Sequence, residues 1–144
     1  MKLIDANVLL YALDETSARH AGAKAWLNAA LSGSEEVGFA WVVLLAVLRL
    51  TTKSTVFTRP LRTAEAFDII EEWLAQPCAV IMQPTIRHVG LLRGLLVAAG
   101  TAGNLTTDAH LAALSIEYGA AVATYDADFA RFPGVLTVNP DADL

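Results

Sequence analysis

Cysteine is nearly absent. Cys78 is the only one in 144 residues, so no internal disulfide, zinc ribbon or paired-thiol redox motif can be built. A reducing compartment fits, and the expected location is the cytoplasm. Long apolar runs are missing too. The uncharged, apolar stretch Val37 to Leu48 falls short of the roughly 20 residues that a membrane-spanning helix needs. Asp5 interrupts the N-terminal apolar run before a secretory segment can develop, so no membrane association is expected. Basic charge is scarce: 10 Lys and Arg face 15 Asp and Glu, for a net charge of −5. That balance argues against broad electrostatic capture of nucleic acid, although Arg49, Arg59, Arg62, Arg87, Arg93 and Arg131 can supply a local basic track.

Several motifs are also lacking. There is no GxSxG, no P-loop and no GxGxxG, and Asp5-Ala6-Asn7 lacks the second aspartate of an aspartyl-phosphatase. His20, His88 and His110 show no pairing at metal-ligand spacing and read as solvated or capping residues. Trp26, Trp41 and Trp73 fall in helical or apolar stretches and read as core.

What is present is a core-rich chain, 55% apolar, of a length that suits one domain over residues 1–144. Strands are predicted over Lys2 to Asp5, Val37 to Ala40, Cys78 to Met82, Ala120 to Thr124 and Val135 to Val138. Helices are predicted between them. Asn7 to Ala12 is short, and Ser17 caps a second helix running through Trp26 to Leu31 and stopping near Gly33. Val42 to Thr52 is apolar almost all round and reads as buried on several sides. Thr63 caps a helix with Phe67, Ile70 and Leu74 inward, ending before Pro77. Thr85 starts one with Val89, Leu92 and Leu96 inward, ended by Gly100, and Thr107 to Tyr118 is the last. Strands alternating with helices imply an α/β fold, a mainly parallel sheet of four to five strands covered on both faces.

Three aspartates carry the chemistry. Asp5 and Asp126 follow apolar strands and Asp108 opens a helix, so all three belong to the sheet edge where α/β folds bind ligands. Each has an ordinary alternative: Asp5 as a helix cap, Asp108 as a first-turn acid complementing the helix dipole, Asp126 and Asp128 as Asx-turn residues. Three carboxylates converging without cations would repel one another by roughly 4 kcal/mol per close pair near a surface. Their coincidence favours a hard divalent cation, Mg²⁺ or Mn²⁺, whose usual work is phosphoryl chemistry. The positive end of the helix should favour the ionised form of Asp108. Asn7 and Thr124 are placed to contact a phosphate oxygen or orient a water, or else to make local bonds.

MKLIDANVLLYA at the start, NLTTDAHLAALSIEYGA in the last third and ATYDADFARFPG after it resemble the PIN-domain ribonucleases of the VapC toxin type, with WVVLLAVLRLTT matching a helix between. The resemblance spans essentially the whole chain in order. It implies an α/β/α sandwich and a Mg²⁺-dependent endoribonuclease, the toxin of a type II toxin–antitoxin pair. It also implies RNA as substrate, a VapB-like antitoxin as partner, and a homodimer. By motif, Asp5, Asp108 and Asp126 match the family's catalytic, metal-holding acids, with Asp128 a nearby understudy. One position departs: many PIN domains carry a glutamate three residues before an arginine on the middle helix, and here Arg49 is preceded by Ala46. Losing that carboxylate predicts one strong metal site and at most one weak one, and raises the alternative of a weakened module that binds antitoxin or RNA without turnover. Arg49 is left as a phosphate contact or a partner for a buried carboxylate.

Overall fold

The computed structural model describes residues 1–143. Five short parallel strands form one sheet: β1 (Lys2–Ile4), β2 (Val37–Phe39), β3 (Ala79–Ile81), β4 (Ala121–Ala123) and β5 (Thr137–Val138), in the order β3-β2-β1-β4-β5. Six α-helices connect them: α1 (Ala6–Leu13), α2 (His20–Ser32), α3 (Trp41–Thr51), α4 (Thr63–Leu74), α5 (His88–Ala99) and α6 (Thr106–Tyr118).

The strand order fixes the layers. From β1 the chain steps outward to β2 and β3, then returns across the sheet to β4 and β5. Parallel crossovers are right-handed, so steps in opposite directions place their helices on opposite faces. Packing follows this rule: α1 meets α2 and α3, and α3 meets α4, whereas α5 packs on α6 and α6 on β1 and β4. Fully buried Leu3, Ile4, Phe39 and Val122 fill the sheet's middle, and the Phe39 and Trp73 rings stack with centroids 6.3 Å apart.

Some boundaries and faces differ from the sequence reading. The strands are shorter by one to two residues. Helix α2 begins at His20, because Ser17 Oγ accepts from the Arg19 N–H and closes a local turn instead. Thr63 lies inside α4, and Arg62 is its cap residue, with Glu65 accepting from the Arg62 backbone N–H at 3.2 Å. On α4 the inward row is Ala66, Ile70 and Trp73, which leaves Phe67 exposed. Helix α3 buries Val43, Leu44 and Val47 but leaves Trp41 and Leu45 about half exposed, so it is covered on one side only and Trp41 is not core. On α5, His88 and Leu95 face inward and Val89 is 76% exposed. The bonds that His88 makes to α6 set that rotation. Among the described residues no helix is long and apolar enough to cross a membrane.

The central strands admit little variation. A Cβ at Gly38 on β2 would lie 2.0 Å from Met82 Sδ and 3.1 Å from its Cγ, and Met82 is itself buried. Gly38→Ala is therefore expected to lower unfolding stability by about 1–3 kcal/mol through overpacking. In denaturant titration, Met82→Ala in the same chain should add less than its cost alone.

Candidate metal centre

The sheet reverses direction between β1 and β4, and ligands of open α/β sheets bind in the crevice at such a switch point. The register pairs Ile4 with Ala123, so the next residues, Asp5 and Thr124, stand side by side at the strands' carboxyl ends. The Asp5 N–H donates to the Ala123 carbonyl at 3.0 Å, extending the ladder by one bond.

Asp5 is both a helix cap and a site residue. Its Oδ1 accepts from the Ala6 N–H at 2.7 Å. Its Oδ2 accepts from Thr124 Oγ1 at 2.7 Å and from Asn7 Nδ2 at 3.0 Å. A carboxylate has about four acceptor positions, so three bonds leave room for one more partner. Asp126 caps the 3₁₀ turn Ala127–Arg131 by accepting from the Asp128 N–H at 2.8 Å. The Asx turn and membership of the acidic cluster are therefore compatible.

The network leaves Thr124 and Asn7 no free donor. Thr124 Oγ1 donates to Asp5 and accepts from Asn7 Nδ2 at 3.1 Å and from the Asp126 N–H at 2.9 Å. Asn7 spends its amide on Asp5 and Thr124 and accepts from the Tyr125 N–H at 3.2 Å. Neither is available for a phosphate oxygen. Both brace the Asp5 carboxylate, the local-bonding role that the sequence also allowed. Arg49 is exposed on the last turn of α3 and forms no ion pair among the described residues, so it is not the partner of a buried carboxylate.

Asp108, half-buried in the first turn of α6, has its pKa raised to about 6 by burial and then by Asp5, Asp126 and Asp128. Asp5 is raised as well, chiefly by burial, with Asp126 adding repulsion and the bonds from Thr124, Ala6 and Asn7 opposing. Dehydration and three neighbouring acids raise the Asp108 pKa against any help from the helix dipole, and Asp108 is still largely ionised at pH 7. The structure thus brings Asp5, Asp126 and Asp128 within electrostatic reach of Asp108, and Asp126 within reach of Asp5. None has a Lys, Arg or His ion-pair partner among the described residues. No three His, Cys, Asp or Glu side chains among these residues close into a ready cage. Such an open set of hard oxygens suits a cation that keeps several waters and takes one or two carboxylates, as Mg²⁺ does.

A second polar cluster was invisible in the sequence. Between α5 and α6, His88 Nδ1 lies 2.7 Å from Glu117 Oε2, and His88 Nε2 lies 2.9 Å from His110 Nδ1. Glu117 also accepts from the Thr85 N–H at 2.9 Å and from its hydroxyl. His88 and His110 are therefore paired, not separately solvated or capping. His20 Nδ1 donates to the Tyr11 carbonyl at 3.0 Å. No spacing rule links positions 88, 110 and 117; only the α5–α6 packing does.

A parallel α/β/α sandwich with unpaired aspartates at its switch point defines an α/β protein with an acidic ligand site, and comparisons narrow it. The family described as PIN domain matches residues 2–135. The chain is 51% identical to Ribonuclease VapC37 of Mycobacterium tuberculosis (strain ATCC 25618 / H37Rv), over the full length of both. It is 39% identical to Ribonuclease VapC33 of the same strain, over 97% of this chain and 98% of that protein. The chain belongs to the PIN-domain family and, within it, to the VapC ribonucleases. Among solved structures, M. tuberculosis VapC20, described as a sarcin-ricin loop cleaving toxin, matches with a TM-score of 0.70 at 18% identity, covering 97% of this chain and 100% of that one. VapBC2 of Rickettsia felis bound to a promoter DNA fragment matches with a TM-score of 0.70 at 15% identity, covering 96% and 97%. Both show the same fold.

Asp108 gives a signed prediction. Its folded pKa of about 6 lies above its unfolded 3.8, so in metal-free protein its cost to stability appears as pH rises between those values and is complete at pH 7. His110, held neutral by burial, shifts stability oppositely over an overlapping range, so the variant must be compared with its parent at each pH. In EDTA, Asp108→Asn should be more stable than the parent at pH 7 by on the order of 1 kcal/mol, allowing for solvent screening. In thermal melts the gap should narrow as pH falls through 6 and close only below the unfolded value of 3.8.

Proposed function

We propose that this protein is a divalent-cation-dependent endoribonuclease, the toxin of a type II toxin–antitoxin pair, that hydrolyses phosphodiester bonds in cellular RNA. The observation that carries the reading is the electrostatic pressure of Asp5, Asp126 and Asp128 on Asp108 at the sheet's switch point, with none of the four paired with a cationic side chain among the described residues. A relative 51% identical over the whole chain is named a ribonuclease, which supports it.

Asp5, Asp108 and Asp126 would hold Mg²⁺ or Mn²⁺, with Asp128 beside them. When bound, such a cation lowers the pKa of water and polarises a phosphate oxygen. The protein's own contribution is preorganisation. Thr124 and Asn7 fix the Asp5 oxygens, and the cap on Asp128 fixes those of Asp126. Repulsion within the set is relieved only by positive charge, so the ionised form of Asp108 and cation binding reinforce one another. Arg49, exposed and without an ion-pair partner among the described residues, is the proposed phosphate contact.

Charge sets the stoichiometry. Three carboxylates with one divalent cation leave −1 and with two leave +1, and Ala46 removes the further acid that would favour a second ion. One strong site is proposed. Ala46 also supports a second reading, a module that binds antitoxin or RNA without cleavage; binding without turnover in both Mg²⁺ and Mn²⁺ would select it.

A VapB-like antitoxin is the proposed partner, supported by fold likeness to the R. felis VapBC2 complex. Exposed Trp41, Leu45 and Phe67 on α3 and α4, and Val89 and Val97 on α5 with Ile86 before it, offer apolar surface for antitoxin and for a homodimer. The proposed location is the cytoplasm, where Cys78 stays reduced.

Mg²⁺ at 100 times its dissociation constant should raise stability by about 2.7 kcal/mol, with calorimetric stoichiometry near one, and Asp5→Asn should remove the gain. Cleavage of an RNA pool should stop with EDTA and in Asp108→Asn. Cleavage that persists in both would overturn the assignment.

A further inference from the structure

The family match ends at residue 135, yet the chain continues into a strap that is built onto the site. Asp141 is its first anchor. Its Oδ1 accepts from the Tyr125 hydroxyl at 3.0 Å, and its Oδ2 pairs with Arg19 Nη1 at 3.5 Å. The Asp141 N–H donates to Asn139 Oδ1 at 3.0 Å, which shapes the turn. Asp143 is the second anchor, accepting from Trp26 Nε1 at 2.9 Å and from Lys2 Nζ at 2.7 Å.

The ring that Asp141 holds is fixed from every side. The Arg19 guanidinium lies 4.5 Å over the Tyr125 ring, and Tyr11 meets that ring edge-on with centroids 5.4 Å apart. Tyr125 lies between Thr124, which donates to Asp5, and Asp126, and its N–H is bound by Asn7. Tyr11 stands one helical turn beyond Asn7 on α1, on the same face. Tyr125 is thus held at both ends, its N–H by Asn7 and its ring and hydroxyl by Tyr11, Arg19 and Asp141.

Gly22, in the first turn of α2, makes room for the strap. A Cβ there would lie 2.5 Å from Asp141 Oδ1 and 3.8 Å from the Tyr125 hydroxyl. Alanine is the better helix former by about 1 kcal/mol, so helix propensity does not explain the glycine, whereas the approach of Asp141 does. The Arg19–Asp141 pair is about half exposed on both sides, and exposed pairs contribute little to global stability. The contact acts locally.

We propose that Asp141 is a positioning residue of the catalytic loop: through Tyr125 it clamps residues 124–126 and so sets where Asp126 stands. That loop's catalytic role rests on the nuclease reading above, but the clamp itself does not.

Full-length Gly22→Ala, Asp141→Asn and Tyr125→Phe test it by two readouts. The first is amide hydrogen exchange of Tyr125 and Asp126 in metal-free protein. The second is cleavage of a doubly labelled RNA hairpin pool in Mg²⁺. All three variants should melt within a few degrees of the parent and keep protection in β1 and α6. Each should lose about 10-fold protection at 125 and 126 and about 10-fold in kcat, with KM within 2-fold, as small misplacements do. Gly22→Ala is the sharpest variant, because it touches no site atom. Parental protection and kcat in Gly22→Ala and Asp141→Asn would overturn the proposal. So would loss of protection throughout the sheet with a falling melting temperature, which marks a merely structural contact. If the parent cleaves no RNA, the nuclease reading fails while the exchange data still decide the clamp.

Discussion

Everything at this site depends on one short contact across the switch point, the Thr124 hydroxyl donating to the Asp5 carboxylate at 2.7 Å. It joins the ends of two strands whose sequence positions are 119 residues apart, and it is made inside the protein, where an unbonded carboxylate would be costly. The sheet register supplies it without adjustment, since the pairing of Ile4 with Ala123 delivers the next two residues to each other. From that contact the rest of the polar network extends outward through Asn7 to the Tyr125 backbone.

The site is built to be held in tension. Buried Asp5 is dehydrated but well bonded, whereas Asp108 sits near three acids with no cationic partner among the described residues and has its pKa pushed up to about 6. Folding thus assembles negative charge that the protein itself does not neutralise. Hydrophobic packing of α6, with Ala109 and Leu111 to Leu114 buried, sustains the strain. Acids perturbed by burial together with specific charged neighbours, set in a crevice, are a signature of functional sites.

Much of this was legible in the chain. Asp5, Asp108 and Asp126 could be placed at one sheet edge because local signals mark strand ends and helix starts. The alternation of apolar segments gave a parallel sheet for the same reason. What escaped depends on distant partners. Nothing around Val89 shows that His88 takes the inward position, because the reason lies in Glu117 and His110 on another helix. Trp41 and Leu45 have core-like identities but no neighbour to cover them. Asn7 and Thr124 were placed at the site, yet only the structure shows their donors fully engaged. Arg19, Tyr125 and Asp141 carry no motif; three elements bring them together.

The Glu117–His88–His110 chain has a consequence of its own. Glu117 has its pKa lowered by the bonds from Thr85 and His88 against the cost of burial, so it is an acceptor only, and His88 must carry its hydrogen on Nδ1. With both rings neutral, His88 Nε2 then presents a lone pair, and His110 is obliged to place its own hydrogen on Nδ1 to fill it. A single tautomer is thereby dictated along the row. The lone pair at its far end, on His110 Nε2, is the only unprotonated ring nitrogen not consumed within the relay.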